Sequence, residues 1–233
     1  MNKRDLALLA ALVVGGLSVP VVSTLFPPKN KPLEQTVSQS VPRDVKKEEP
    51  ALWNAYALKD YPEYNALLPA VQAESERTGV PMEYLALIAL TESAGRGGTR
   101  HEPKFQSKYV EPNFERFADL HKSVSARSFV TVSDFKRQLA SSTGPFQIMY
   151  LTAVELGFSG SFEELSDPKV NAHWAAEYLL RKGVDAKTSL ESALRVYNTG
   201  SFSGKPHQGY LDRARAYRGM FSDEYKKLFP VNR

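Results

Sequence analysis

The sequence predicts a mainly α-helical domain between about residues 51 and 233. Three observations point to this fold class. Helix-start and helix-end signals recur along this part of the chain, runs that alternate at period two are scarce, and no internal repeat is visible. The best alternating run, Ser128–Val132, is short. A chain of 233 residues is long enough for one domain of ordinary size with a sizeable core.

The first 26 residues predict a transmembrane anchor. Leu6–Phe26 is an apolar run of 21 residues without a charge, and a membrane-spanning helix needs roughly 20. Lys3 and Arg4 precede the run, so we expect the short N-terminus to stay in the cytoplasm and the rest of the chain to lie beyond the membrane. A cleaved signal peptide is the alternative, although no small-x-small cleavage site follows the run.

Residues 27–50 predict a flexible linker. Pro27–Pro50 contains five prolines among charged and small polar residues, with almost no large apolar side chains. Such a segment cannot bury enough surface to fold, and its prolines keep it extended. We therefore expect a spacer between the membrane and the domain at residues 51–233.

Helix boundaries then follow in order along the domain. Pro81 suits the first turn of a helix that the glycine-rich Gly95–Gly98 segment ends. Further helical segments are predicted to begin at Gly144-Pro145, at the Asp167-Pro168 cap and at a capping box in Thr188-Ser189-Leu190-Glu191, whose helix ends at Gly200.

Composition excludes several kinds of site. The chain has no cysteine, which removes disulfides, thiol catalysis and cysteine-based metal centres together. Its four histidines are scattered and none pair four residues apart, so we expect no metal ion. No motif requires an organic cofactor. The formal net charge of +4 is too small to indicate nucleic-acid binding.

Glu92 is the candidate catalytic residue. On the predicted helix, Leu85, Ile88 and Glu92 share one face because residues three and four apart are neighbours. The carboxyl group thus continues an apolar stripe, and it lies in the last helical turn, where the helix dipole disfavours an anion. Both effects are expected to raise its pKa, as general acid catalysis near neutral pH requires. The alternative is a structural role, in which Glu92 forms an ion pair with Arg96 or Arg100 just beyond the helix.

Two further segments carry side chains suited to a polar ligand. Gln147 lies in the turn Gly144–Met149, and its amide can both donate and accept hydrogen bonds. Tyr197 and Asn198 lie at a helix end, where a phenol and an amide can hold a polar ligand in a groove. Taken singly, Tyr197 is more often a packed core aromatic and Asn198 a turn residue.

The order of these motifs resembles the soluble lytic transglycosylase (SLT) domain, a family related to goose-type lysozymes. Its three usual motifs are a Glu-Ser at a helix end, a Gly-x-x-Gln-hydrophobic-Met turn and an Ala-x-x-x-Tyr-Asn-x-Gly helix end. Here they are Thr91-Glu92-Ser93, Gly144–Met149 and Ala193–Gly200, with Gly209-Tyr210-Leu211 as a weaker fourth match. The resemblance covers roughly Asn65–Tyr217 and implies a lysozyme-like helical fold.

The resemblance implies cleavage of the glycan strands of peptidoglycan between N-acetylmuramic acid and N-acetylglucosamine. Glu92 would protonate the leaving glycosidic oxygen, then act as base while the muramoyl 6-hydroxyl closes a 1,6-anhydro ring. The substrate-binding residues would be Ser93, Gln147, Tyr197, Asn198 and Tyr210.

The chain departs from the family pattern at two places. Tyr150 follows the second motif where the family usually has proline, which should affect local geometry more than chemistry. An insert at about residues 96–140 separates the first two motifs. It contains Arg100-His101-Glu102-Pro103, which is similar to an Arg-(aromatic)-Glu-Pro stretch of phage-type members. Two short helices, near Pro112–His121 and Ser133–Leu139, are expected in the insert as a lid or specificity element.

Other functions stay open at this point. An ordinary glycosidase needs two carboxylates flanking the bond, whereas a lytic transglycosylase needs one, because its substrate supplies the nucleophile. Glu92 is the single carboxylate placed by a motif, which favours the transglycosylase over a hydrolytic muramidase unless Glu102 is the second. A non-catalytic glycan-binding or assembly component of a virion or secretion apparatus would keep the groove without turnover. Proteins of such an apparatus are therefore candidate partners, beside the membrane and the glycan. We expect the membrane to be a bacterial inner membrane, or a virion membrane if the protein is phage-encoded, with the catalytic domain on the periplasmic or cell-wall side.

Overall fold

The computed structural model describes residues 13–14, 17–18, 52–221 and 225. Most of the predicted anchor (1–26) and all of the predicted linker (27–50) lie outside the described residues. Val13–Val14 (β1) and Leu17–Ser18 (β2) form a short antiparallel pair, so these four residues do not follow the continuous helix predicted over Leu6–Phe26. Valines favour extended backbone, and the sequence places a Gly-Gly turn signal between the two strands. Among the described residues, no helix is both long and apolar enough to cross a membrane.

The prediction of a mainly α-helical domain is confirmed. A 3₁₀ turn at Leu52–Tyr56 precedes the first helix. The helices are α1 Pro62–Thr78, α2 Met82–Ser93, α3 Pro103–Phe105, α4 Ala118–Ser128, α5 Val132–Leu139, α6 Tyr150–Leu156, α7 Phe162–Ser166, α8 Pro168–Arg181, α9 Leu190–Thr199 and α10 Gln208–Met220. The segment between α3 and α4 is a π-helical turn, Gln106–Val110, followed by a 3₁₀ stretch, Glu111–Phe117.

Helix α2 is the centre of the core. Its residues Met82 and Tyr84–Thr91 are all buried, because α1, α8, α9 and α10 pack around it. A helix that is apolar on every side is stable only in such a position. The helix ends at Ala94, which adopts φ 55°, and Gly95 N donates to Ala89 O at 3.1 Å. This end confirms the glycine-rich stop predicted from the sequence and places Glu92 in the last turn of a buried helix.

A small antiparallel sheet follows α2 and was not predicted. Its strands are β3 Thr99–His101, β4 Ser141–Thr143 and β5 Ile148–Met149, in the order β3-β4-β5. Arg100 lies opposite Ser142, and Thr143 lies opposite Ile148. Strands of two or three residues are too short to show an alternating pattern. The best alternating run of the sequence, Ser128–Val132, instead connects α4 to α5.

The insert at 96–140 folds as predicted in its two helices. The second is α5, and the first is longer than expected, because the 3₁₀ stretch continues directly into α4. Phe135 of α5 contacts Tyr150 edge to face, with ring centroids 6.0 Å apart. Tyr150 is fully buried and donates to Gly160 O at 2.8 Å. The tyrosine that replaces the family's usual proline thus joins the insert to the core.

The predicted helix caps are confirmed in one case and corrected in the other. Asp167 accepts from Lys169 N at 2.9 Å and caps α8 as expected. The cap of α9 is Ser189, which accepts from Ser192 N at 3.2 Å, and not Thr188 of the predicted capping box. The reason is that the Thr188 hydroxyl closes a turn with Asp185: it accepts from Asp185 N at 3.1 Å and donates to Asp185 Oδ1 at 3.0 Å.

Candidate active site

The carboxyl group of Glu92 is enclosed at the end of α2. Although the residue as a whole is only partly buried, Oε1 is inaccessible to solvent and has no hydrogen-bond partner among the described residues. Burial raises the pKa of Glu92 to about 7, and the Tyr210 hydroxyl and the charges of Arg100 and Arg213 oppose this shift in part. A carboxyl group with this pKa is partly protonated near neutral pH, as the sequence predicts for a general acid.

The alternative role of Glu92, a structural ion pair, is not supported by the position of Arg100. The Arg100 guanidinium is engaged by Glu102, with Nε 2.9 Å from Oε1. Among the described residues, Glu92 forms no ion pair. Glu92 Oε1 therefore has neither an ion-pair partner nor a hydrogen-bond partner among the described residues, an arrangement that is rare in structural glutamates.

Two tyrosines from α9 and α10 flank the Glu92 carboxyl group. Tyr197 is buried and donates to Phe146 O at 2.7 Å, and Tyr178 packs edge to face against its ring at 5.6 Å. Tyr210 is 3% exposed, and its buried hydroxyl lies close enough to Glu92 to favour the ionised carboxylate, although no hydrogen bond of ordinary length forms among the described residues. Burial and the nearby Glu92 carboxylate raise the pKa of both phenols well above the ordinary value. Both hydroxyls thus stay neutral, and that of Tyr210 is placed to donate to the Glu92 carboxylate.

Ser93 connects the loop after α2 with the turn between β4 and β5. Its hydroxyl donates to Pro145 O at 2.8 Å and accepts from Gly97 N at 3.0 Å. In this structure the predicted substrate-binding serine is used to hold two backbone segments together beside Glu92.

Gln147 completes the same connection. It adopts φ 49°, and its Nε2 donates to Gly98 O and Gly144 O, both at 2.9 Å. Its Oε1 accepts from Ser142 Oγ at 3.0 Å. Both amide hydrogens expected to recognise a sugar are therefore engaged within the protein. We call the hydrogen-bonded group of Ser93 and Gln147, with the backbone segments they join, the clasp.

Asn171 supports the clasp from behind and was missed in the sequence. It is fully buried on α8, accepts from Phe146 N at 2.8 Å, and donates to Thr143 O at 2.9 Å and Leu165 O at 3.0 Å. A single asparagine in the middle of a predicted helix carries no sequence signal for this role. Asn198, which was predicted to bind the sugar, is 2% exposed next to Tyr197.

A separate pocket of about 550 Å³ lies beside the clasp. It is lined by residues of α1, the loop 95–99, the turn 143–145 and the start of α8. Glu92, Tyr197 and Tyr210 do not line it. Within the described part of the chain, no three histidine, aspartate or glutamate side chains are grouped closely enough to hold a metal ion.

The fold and the site together define a lysozyme-like domain, in which a buried helix ends on an enclosed carboxyl group beside a short antiparallel sheet. Residues 69–216 match the family model described as the transglycosylase SLT domain, which is more than half of the 233 residues. The chain belongs to this family, whose members are lytic transglycosylases acting on peptidoglycan. No curated protein and no solved structure matches the chain.

Proposed function

We propose that the domain is a peptidoglycan lytic transglycosylase that cleaves the β-1,4 bond between N-acetylmuramic acid and N-acetylglucosamine, with Glu92 as acid and base. The observation that carries this proposal is the enclosed Glu92 carboxyl group, whose Oε1 has no partner among the described residues and whose pKa is about 7. Family membership supports the substrate class and the type of reaction.

The proposed reaction uses the Glu92 carboxyl group twice, first as a proton donor and then as a proton acceptor. Protonated Glu92 donates its proton to the glycosidic oxygen, and the bond to the muramoyl C1 breaks as N-acetylglucosamine leaves. The Glu92 carboxylate then removes a proton from the muramoyl 6-hydroxyl, whose oxygen bonds to C1 and closes the 1,6-anhydro ring. Glu92 ends protonated, so no water is consumed and the enzyme returns to its starting state. The neutral Tyr210 hydroxyl is a suitable donor to the carboxylate between the two steps.

The state of Glu102 supports a single-carboxylate mechanism. A hydrolase of this kind needs a second carboxylate to act as nucleophile or to activate water. Glu102 is the candidate that the sequence singles out, and it is 2.9 Å from Arg100 Nε in an ion pair. A carboxylate paired with a guanidinium is less available to attack a sugar carbon or to hold a water molecule, and this favours attack by the 6-hydroxyl of the sugar itself.

The products of the reaction test this function. Full-length protein incubated with purified sacculi is expected to release muropeptides that end in 1,6-anhydro-muramic acid, which mass spectrometry identifies by the absence of an added water. Reducing-end muramic acid carrying ¹⁸O from labelled water would establish a muramidase instead. Binding to sacculi with no released muropeptides would favour the non-catalytic glycan-binding alternative and overturn the proposal.

We further propose that residues 1–26 anchor the protein in a membrane and that the linker lets the domain reach the wall. The uncharged Leu6–Phe26 run and the lysine and arginine before it support this arrangement. Full-length protein is expected to remain in the membrane fraction, and deletion of residues 1–26 is expected to move it to the soluble fraction. Unchanged membrane association of the deletion variant would contradict the anchor. The same anchored arrangement suits a bacterial envelope and a virion or secretion apparatus.

A further inference from the structure

Arg213 is the unpaired arginine among three that α10 presents in succession. Arg215 is 3.1 Å from Asp212 Oδ1 and 3.6 Å from Glu191 Oε2, and Arg218 is 2.6 Å from Glu83 Oε1. Arg213 forms no ion pair with the described residues, and its guanidinium carbon is 5.9 Å from the centroid of the Tyr210 ring. An exposed, unpaired guanidinium thus lies over the aromatic ring that flanks the Glu92 carboxyl group.

Arg100 supplies a second positive charge to the same carboxyl group from the sheet. It lies on β3 opposite Ser142, whose hydroxyl donates to Gln147 in the clasp. Glu102 Oε1 lies 2.9 Å from Arg100 Nε and restrains the guanidinium at the edge of the sheet. The Arg100 side chain is nevertheless 44% exposed, so a ligand can reach it. A planar guanidinium can pair with more than one carboxylate, because it carries five N–H donors.

The charges of both arginines act on Glu92, since each opposes the rise of its pKa. The Arg213 guanidinium over the Tyr210 ring and the Arg100 side chain on the sheet thus approach this carboxyl group from two elements, α10 and β3. The sugar rings of a glycan strand carry no charge, so two exposed guanidinium groups are not needed to bind them. The muramic acid residues, however, bear peptides with free carboxylates, and a planar guanidinium is the side chain best suited to pair with a carboxylate.

We propose that Arg213 and Arg100 form a carboxylate-binding rim at the Glu92 site, which selects glycan strands whose muramic acid carries an anionic peptide. The proposal rests on the proposed function and adds the chemical class of substituent that the site prefers. It also agrees with the small net charge of +4 for the whole chain, because the attraction is local to the rim and not a property of the whole surface.

The test compares two substrates that differ only in charge. One is the peptide-bearing glycan strand, and the other is the same strand with its peptide carboxylates converted to methylamides. The full-length protein is expected to cleave the first with a kcat/KM about fivefold higher, which is the size of effect that one or two partly exposed ion pairs give. Arg213→Gln and Arg100→Gln are each expected to lower this ratio by about half or more, and the double variant to bring it close to one. The preference should also weaken as salt is raised from about 0.05 M to about 0.5 M.

Arg215→Gln is the matched control, since it removes the same charge from the same helix at a residue that pairs with Asp212 and Glu191 and is not one of the two arginines whose charge acts on Glu92. Its ratio should equal that of the wild type. Because the readout is a ratio of two substrates, a change in the pKa of Glu92 or in folding alters both rates together and leaves it unmoved. An unchanged ratio in Arg213→Gln and Arg100→Gln, or a wild type without preference, would overturn the rim. Anhydro products that still form in that case would leave the proposed function intact, whereas their absence would remove the proposed function itself.

Discussion

Replacing Glu92 by glutamine is expected to lower the rate of glycan cleavage about 100- to 10,000-fold, the range that a positioned general acid contributes. Glutamine keeps the size of the side chain but has no acidic proton to donate to the glycosidic oxygen. The measurement is the initial rate of release of muropeptides from purified sacculi, with wild type and variant at equal concentration. Clearing by the variant at the rate of the wild type would remove Glu92 from its proposed role.

Glu102→Gln is the matched control for this prediction, because it is the same substitution at a carboxylate held by Arg100. We expect a loss of less than about tenfold, since the change disturbs one exposed ion pair and no proton transfer. A loss in Glu102→Gln as large as that in Glu92→Gln would favour a two-carboxylate hydrolase.

Glu92→Gln should lower the cleavage rate but raise the stability of the folded protein at alkaline pH. A measurement of stability therefore separates loss of chemistry from loss of structure. The pKa of Glu92 is raised from about 4.5 to about 7, so the folded state binds its proton more tightly than the unfolded state does. The resulting stabilisation is fully present below about pH 4.5 and is lost as the pH rises through about 7. The variant should lack this loss and be more stable than the wild type at pH 8, by at most on the order of 3 kcal/mol. Urea unfolding at several pH values measures the difference.

Replacing Gly144 by alanine is expected to lower the free energy of unfolding by about 3 kcal/mol or more and to reduce cleavage with it. Gly144 adopts φ 73°, and a Cβ at this position would overlap the side-chain amide of Asn171. That amide cannot turn away without breaking its hydrogen bonds to Phe146 N, Thr143 O and Leu165 O, all within the buried interior. The clasp that holds Gln147 would have to shift.

Gly79→Ala is the matched control, because it measures the cost of placing alanine in a left-handed backbone conformation without a steric overlap. Gly79 also adopts φ 73°, but nothing lies within 4 Å of the Cβ that would be added there. This variant therefore bears only the left-handed backbone penalty of about 1–2 kcal/mol. Urea unfolding of both variants measures the difference, and an equal loss would show that contact with Asn171 does not make Gly144 necessary.

The helical part of the fold could be predicted because residues at the helix ends themselves set many of the boundaries. The start of α8 at Asp167-Pro168 and the end of α9 at Gly200 each depend on one or two residues, and both appear where expected. The sheet could not be predicted, because its strands are two or three residues long and β3 pairs with β4 across the whole of the insert. The cap of α9 was misassigned by one residue, since Asp185 competes for Thr188 and the sequence does not show which partner wins.

The candidate site divides in the same way. Glu92 could be found from its place on an apolar stripe, because packing of that helix face against the core also encloses the carboxyl group. The bonds of Ser93 and Gln147 could not be found, since both side chains close contacts between segments about 50 residues apart, at 52 for Ser93–Pro145 and 49 for Gln147–Gly98. Asn171 was invisible for the same reason, as its three partners belong to a turn and a helix end elsewhere in the chain.

The clasp has a consequence for the thermodynamics of ligand binding. Because the Ser93 hydroxyl and both Gln147 amide hydrogens are already bonded within the protein, the two backbone segments beside Glu92 are ordered before a glycan arrives. The loss of conformational entropy in these segments belongs to folding and not to association. Sugar binding at this edge should therefore resemble the docking of a ligand on a preformed surface, with little ordering of the loop or turn on association.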